Sequence, residues 1–159
     1  MQTNSQPSVV VVDDEEMVVT SLRALLQLET DYQLYSFTNP KEAAALVEKQ
    51  SVDVVVTDYL MPGMNGLELL AVAKKSQPES ARVLLTGHAD KQSAIQAINE
   101  VGLFQYLEKP WDNAQFLLVV RSAIERTQLF RQLRDKITQL DAAHGNLKDV
   151  QTRLIRAFL

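Results

Sequence analysis

Val52-Asp-Val-Val-Val-Thr-Asp58 runs directly into Tyr59-Leu-Met-Pro-Gly-Met-Asn-Gly66. Val54, Val55 and Val56 are consecutive β-branched residues. Such an uninterrupted run predicts a strand buried on both faces, as in a parallel sheet. The run ends in a carboxylate, and the residues after it are those of turns. Asp58 is therefore expected at the carboxyl end of a central strand, over about 52–57. In open α/β sheets that edge is where ligands bind.

Three other stretches aim at the same edge. Ser8-Val-Val-Val-Val12 is a second apolar strand and ends in Asp13 and Asp14. Ala81-Arg-Val-Leu-Leu-Thr86 ends in a hydroxyl. Gln105-Tyr-Leu-Glu108, within a strand expected at about 104–107, is followed by Lys109-Pro110. If these strands are parallel, three acids, a hydroxyl and an ammonium converge.

The segments between them read as helices. One is expected from Glu15 to about Leu28, with Val18, Leu22, Leu25, Leu26 and Leu28 on one broad apolar stripe. Tyr32–Phe37 alternates and predicts an edge strand. Asn39-Pro40 opens the next helix as cap and first residue. Further helices are expected over Leu67–Ser76, over Lys91–Glu100 with Asp90 as cap and Ile95 and Ile98 on one face, and from Asp112 onward. Five strands alternating with five helices predict a doubly wound parallel sheet with helices on both faces.

Composition narrows the function. A net charge of -4 gives no basic footprint for nucleic acid. The chain has no cysteine and two histidines, which excludes thiol catalysis and disfavours a histidine-rich zinc site. No apolar run is long enough for a bilayer, and residues 1–7 form a polar, flexible lead without a signal peptide's apolar core. A cytoplasmic protein without membrane insertion is expected.

Beyond Glu125 there is no proline, and glycine occurs only at 145. Leu133, Leu140, Leu147 and Leu154 recur at seven residues. Phe130, Ile137, His144, Gln151 and Phe158 hold the companion position. This heptad predicts an extended helix over 126–159 that pairs as a parallel coiled coil, with Phe130, Leu133, Ile137, Leu140, Leu147 and Leu154 in its seam. Gly145 weakens it by roughly 1 kcal/mol relative to alanine. One long helix folded back on its own domain, or a disordered tail, are the alternatives. With no room for a second domain after 125, the chain reads as the front of a longer protein whose output module follows.

Four pieces carry a family resemblance: Val-Val-Asp13-Asp14-Glu15, Thr-Asp58-Tyr-Leu-Met-Pro-Gly-Met-Asn-Gly66, Leu-Leu-Thr86-Gly87 and Tyr106-Leu-Glu-Lys109-Pro110. In this order and spacing they resemble the receiver domain of two-component response regulators, over roughly residues 8–125. The resemblance implies a flavodoxin-like (βα)5 three-layer sandwich with strand order 2-1-3-4-5 and the last helix extended. It implies that Asp58 is the phosphoacceptor. Asp13, Asp14, Asp58 and the backbone carbonyl of Leu60 would hold Mg2+, for which Mn2+ can substitute. Thr86 and Lys109 would contact the phosphoryl group, Tyr106 would be the switch aromatic, and Pro110 would follow a cis bond. A histidine kinase or histidine phosphotransfer protein would be the donor, with a homodimer formed through the last helix. Enzymatic output, if any, would lie outside this chain.

The chemistry is sound apart from the resemblance. Phosphoryl transfer to a carboxylate depends on positioning and charge neutralisation. Mg2+ takes oxygen ligands, and crowded carboxylates need such a cation. The rivals fit less well. A flavodoxin needs a phosphate-binding loop after strand one, where Asp13-Asp-Glu-Glu16 would repel phosphate. A haloacid-type phosphatase needs Asp-x-Asp there. A pseudo-receiver serving only for dimerisation would not need the full acid set.

Overall fold

Valine dominates the centre of the sheet. In the computed structural model, β3 (Val54–Asp58) lies between β1 (Ser8–Val12) and β4 (Ala81–Thr86), and every residue of the three is buried. β2 (Gln33–Phe37) and β5 (Gln105–Glu108) form the edges. All pairings are parallel, and the strand order is 2-1-3-4-5. The described residues are 6–144 and 148–158, without the side chains of His88, Ala97, 141–144 and 148–151. Most of the polar lead, Leu147 of the expected seam, and the side chains of His88 and His144 fall outside them.

Helices cover both faces. Alternate strand residues such as Val10, Val12, Val55 and Leu84 pack with α2 (Pro40–Lys49), α3 (Gly66–Ser76) and α4 (Lys91–Glu100). The other set, Val9, Val11, Val54, Val56 and Leu85, packs with α1 (Glu16–Glu29) and α5 (Asn113–His144) around Phe116. The period of two along each strand divides the valines between the two cores. Among the described residues no helix is long and apolar enough to cross a membrane.

Local signals set the helix starts. Asn39 and Asn65 accept backbone N–H groups of α2 and α3 at 3.0 and 2.9 Å, and Asp112 accepts that of Ala114 at 2.9 Å. Two expected packing faces differ. Leu28 is 80% exposed, because it lies beside Met17 on the helical wheel of α1 and away from Val19, Leu22 and Leu26. Ile95 and Ile98 share a face of α4, but it is the exposed one; Ala94 is the buried residue among those described. Asp90 closes a 3-10 turn (His88–Asp90) that leads into α4.

The expected C-terminal helix is divided. α5 runs 32 residues, and α6 (Lys148–Phe158) follows as a separate helix. α6 returns antiparallel, with the Phe158 ring 6.0 Å from Phe130.

α5 is fastened to the sheet edge opposite Asp58. The Thr127 hydroxyl is buried and donates to the Asp53 carbonyl at 2.9 Å. Arg131 pairs with the Asp53 carboxylate and donates to the Val52 carbonyl, and Arg134 pairs with Glu79. The backbone N–H of Ser8 gives Asp53 its other bond, at 2.8 Å. Without Arg131, a buried carboxylate would retain only part of its compensation. Arg131→Ala is therefore expected to lower stability by about 1–3 kcal/mol in urea denaturation, with no change in the chemistry at Asp58.

Candidate functional site

The register of the sheet gathers the acids. β1 and β3 run parallel with Val12 beside Thr57, so Asp13 and Asp58 leave the same edge on adjacent strands. One oxygen from each of Asp13, Asp14 and Asp58 lies within 4.8 Å of the others. Asp13 and Asp58 are buried, while Asp14 is exposed. Lys109 reaches in from the end of β5, its Nζ 3.2 Å from Asp58 Oδ1 and 3.7 Å from Asp13 Oδ2. The Lys109 backbone N–H donates to the Thr86 carbonyl at 2.8 Å, which ties the β5 exit to that of β4. The Lys109–Pro110 bond is cis.

Burial raises the Asp13 carboxyl to about 6; the backbone N–H of Glu15 opposes this, and the charge of Asp58 adds to it. Burial also raises Asp58, against the pull of Lys109. Burial lowers the Lys109 ammonium, but the hydrogen bond and charge of Asp58 outweigh it, with Asp13 adding, so the net shift is upward. The site is thus short of positive charge.

Asp13 Oδ2 is buried and has no hydrogen-bond partner among the described residues. An unsatisfied buried carboxylate oxygen facing two more carboxylates fits a hard cation. Oxygens around one Mg2+ lie about 3–4 Å apart, given ligand distances near 2 Å, which this cluster accommodates. Asp13, Asp14 and Asp58 could hold the ion. Leu60 belongs to the loop that follows Asp58, with its side chain exposed.

Thr86 is fully buried, and among the described residues its hydroxyl donates to the Leu107 carbonyl, at 3.5 Å. So long a bond is weak and readily exchanged. Tyr106 pairs with Leu84 across β4 and β5, two residues before Thr86, so it shares the Thr86 face of the sheet. It is half-buried at the margin of that core. The structure therefore brings Asp13, Asp14, Asp58 and Lys109 together and sets Thr86 and Tyr106 along one adjoining face.

Gly66 was legible in the sequence only as a turn residue. A Cβ there would stand 2.1 Å from the Asp58 carbonyl oxygen. The Gly66 N–H donates to the Tyr59 carbonyl at 2.7 Å and closes the loop over the site. Its signal was the Asn65-Gly66 pair before an apolar run, which marks a helix cap.

The sequence profile of the response regulator receiver domain covers residues 9–121. This chain belongs to that family. It is similar to the hydrogenase transcriptional regulatory protein HoxA of Cupriavidus necator, 34% identical over 77% of this chain and 25% of that protein. A Rhodopirellula baltica chain described as an adenylate cyclase superposes with a TM-score of 0.79 and 26% identity, covering 84% of this chain and 98% of that one. The beryllofluoride-activated NtrC4 receiver domain dimer gives 0.69 and 33%, covering 76% and 98%. The match spans 25% to 31% of the length of the curated relatives. The chain is thus a response regulator receiver domain with a helical extension, and receiver domains bind Mg2+ through an aspartate cluster of this kind.

Two outcomes are expected. A carboxyl whose folded pKa is raised destabilises the charged protein. For Asp13 that deficit is full above about pH 6 and fades as pH falls toward 4. In EDTA, Asp13→Asn should therefore stabilise the receiver domain by about 1–3 kcal/mol at pH 7 and flatten the pH dependence of its urea midpoint between 4 and 6. Gly66→Ala should cost about 1–3 kcal/mol or more, because the clash is with backbone, and the loss is read in the same urea titration.

Proposed function

We propose that Asp58 of this receiver domain accepts a phosphoryl group from a phosphohistidine donor, with Mg2+ held by Asp13, Asp14, Asp58 and the Leu60 carbonyl. The observation that carries this reading is Lys109 Nζ at 3.2 Å from Asp58 within the acidic cluster. An Asp58 carboxylate oxygen attacks phosphorus as the phosphorus–imidazole bond breaks, and the bonding pair leaves with the imidazole. Mg2+ supplies charge neutralisation for the phosphoryl oxygens. Lys109 offers a point charge to another of those oxygens. Thr86 gives up its long bond to Leu107 and donates to the phosphoryl group, and Tyr106 follows into the space beside it. The donor is a histidine kinase or histidine phosphotransfer protein, approaching over a cleft of about 580 Å³ beside Lys109 that Met17, Val18 and Trp111 help to line.

The site residues support a signalling role in which phosphorylation biases two packings of the domain. α5 carries the state away from β5. Two copies pair through its heptad seam and pass the state to an output module, as the small share of its relatives' length that this chain spans suggests. The acids suit Mn2+ as well as Mg2+, and either can be used in the assay.

Incubation with acetyl phosphate and Mg2+ should add one phosphoryl group, seen in the intact mass. Asp58→Asn should abolish it, and undiminished labelling of that variant would refute the assignment. EDTA should suppress the reaction. Lys109→Ala should leave metal binding largely intact while impairing the conformational response to beryllofluoride.

A further inference from the structure

The heptad and the hairpin use the same residues. Leu133 and Leu140 of α5 and Leu154 of α6, with Leu147 between them in the sequence, keep a spacing of seven. In one continuous helix Phe130 and Phe158 would stand about 42 Å apart, at 1.5 Å per residue. Here their rings are 6.0 Å apart. A continuous seam and the folded-back α6 therefore exclude each other.

Arg126 closes the hairpin. It occupies the heptad position seven residues before Leu133, where a coil would place an apolar side chain. Its guanidinium lies 5.0 Å from the Phe130 ring centroid and 5.3 Å from that of Phe104, just before β5. It also donates to the Phe158 carbonyl at 2.9 Å. One side chain thus joins β5, α5 and the far end of α6. Closure is incomplete: Phe158, Leu140 and Leu129 remain 57%, 51% and 64% exposed. Ile137, three residues past Arg134, is buried. The hairpin covers the middle of the seam and leaves its margins open.

We infer that α6 is an intramolecular cover for the dimer seam, held by Arg126, and that a second copy of this chain takes its place when it opens. The fastening of Thr127, Arg131 and Arg134 to the sheet edge holds the base of α5 in place. Opening is thus a movement of α6 against a fixed α5. This inference rests on the seam being a dimer interface; its gate is tested separately, without phosphodonor.

The chain has no cysteine, so Phe130→Cys with Phe158→Cys reports the state; it gives up the contact between the two rings but keeps the Arg126 bond to the backbone carbonyl at 158 and its packing on Phe104. The closed hairpin gives a disulfide within one chain, and a parallel coil gives 130–130 and 158–158 disulfides between chains. Mass spectrometry of oxidised, unreduced protein distinguishes them. The within-chain product should predominate at micromolar concentration. Adding Arg126→Gln should shift the products at least fivefold toward the between-chain form. On the otherwise unchanged chain, Arg126→Gln should tighten self-association at least tenfold in sedimentation equilibrium, with circular dichroism verifying the fold. Between-chain products alone in both backgrounds, or identical products and association with and without Arg126, would overturn the gate while leaving the dimer reading intact. Absence of self-association in every variant would overturn both.

Discussion

Three carboxylates at one end of a parallel sheet repel one another, and two of them are buried. Among the described residues Lys109 is the cation set against them, and it does not suffice: Asp13 and Asp58 both remain raised. The charge deficit defines the domain's chemistry. It favours a divalent cation, and with that cation an incoming phosphoryl group. The fold supplies what such a site requires, a sheet edge whose strands cannot shift in register without moving their valines out of two cores.

The same sheet has a second charged edge with a different purpose. Asp53, five residues before Asp58, is tied to the backbone of β1, to Arg131 and, through its carbonyl, to Thr127. Chemistry at one end of β3 and the departing helix at the other are thus joined through one short, fully buried strand. Arg82 buttresses the region from β4. Fully buried, it donates to the carbonyls of Val101 and Ser80, and burial, with Arg126 adding, lowers it to about 10. Side chains so placed make the base of α5 part of the receiver body, and leave α6 as the separable piece.

Much of this was legible in the chain itself. The valine runs ending in Asp13, Asp14 and Asp58 specify buried parallel strands, because no other element buries both faces of so short a β-branched segment. Asn39-Pro40 and Asp112 mark helix starts through side chains that cap exposed N–H groups. The alternation of elements leaves few topologies, since crossovers between parallel strands are right-handed. The acids, Thr86 and Lys109 could therefore be assigned to one edge before any coordinate was known.

Other features depend on contacts between segments distant in sequence. Periodicity placed Leu28, Ile95 and Ile98 on helix faces without saying which face the sheet covers. Asp53 reads as one more residue of a strand until Arg131, 78 residues later, meets it. Gly66 reads as a turn residue until the Asp58 carbonyl is seen to occupy the space of its missing side chain. The heptad after Phe130 fixed which residues are apolar and at what spacing. It did not fix their partner, because a stripe of leucine and phenylalanine is satisfied equally by another chain or by its own helix turned back; in this structure Arg126 and Phe158 decide for the latter.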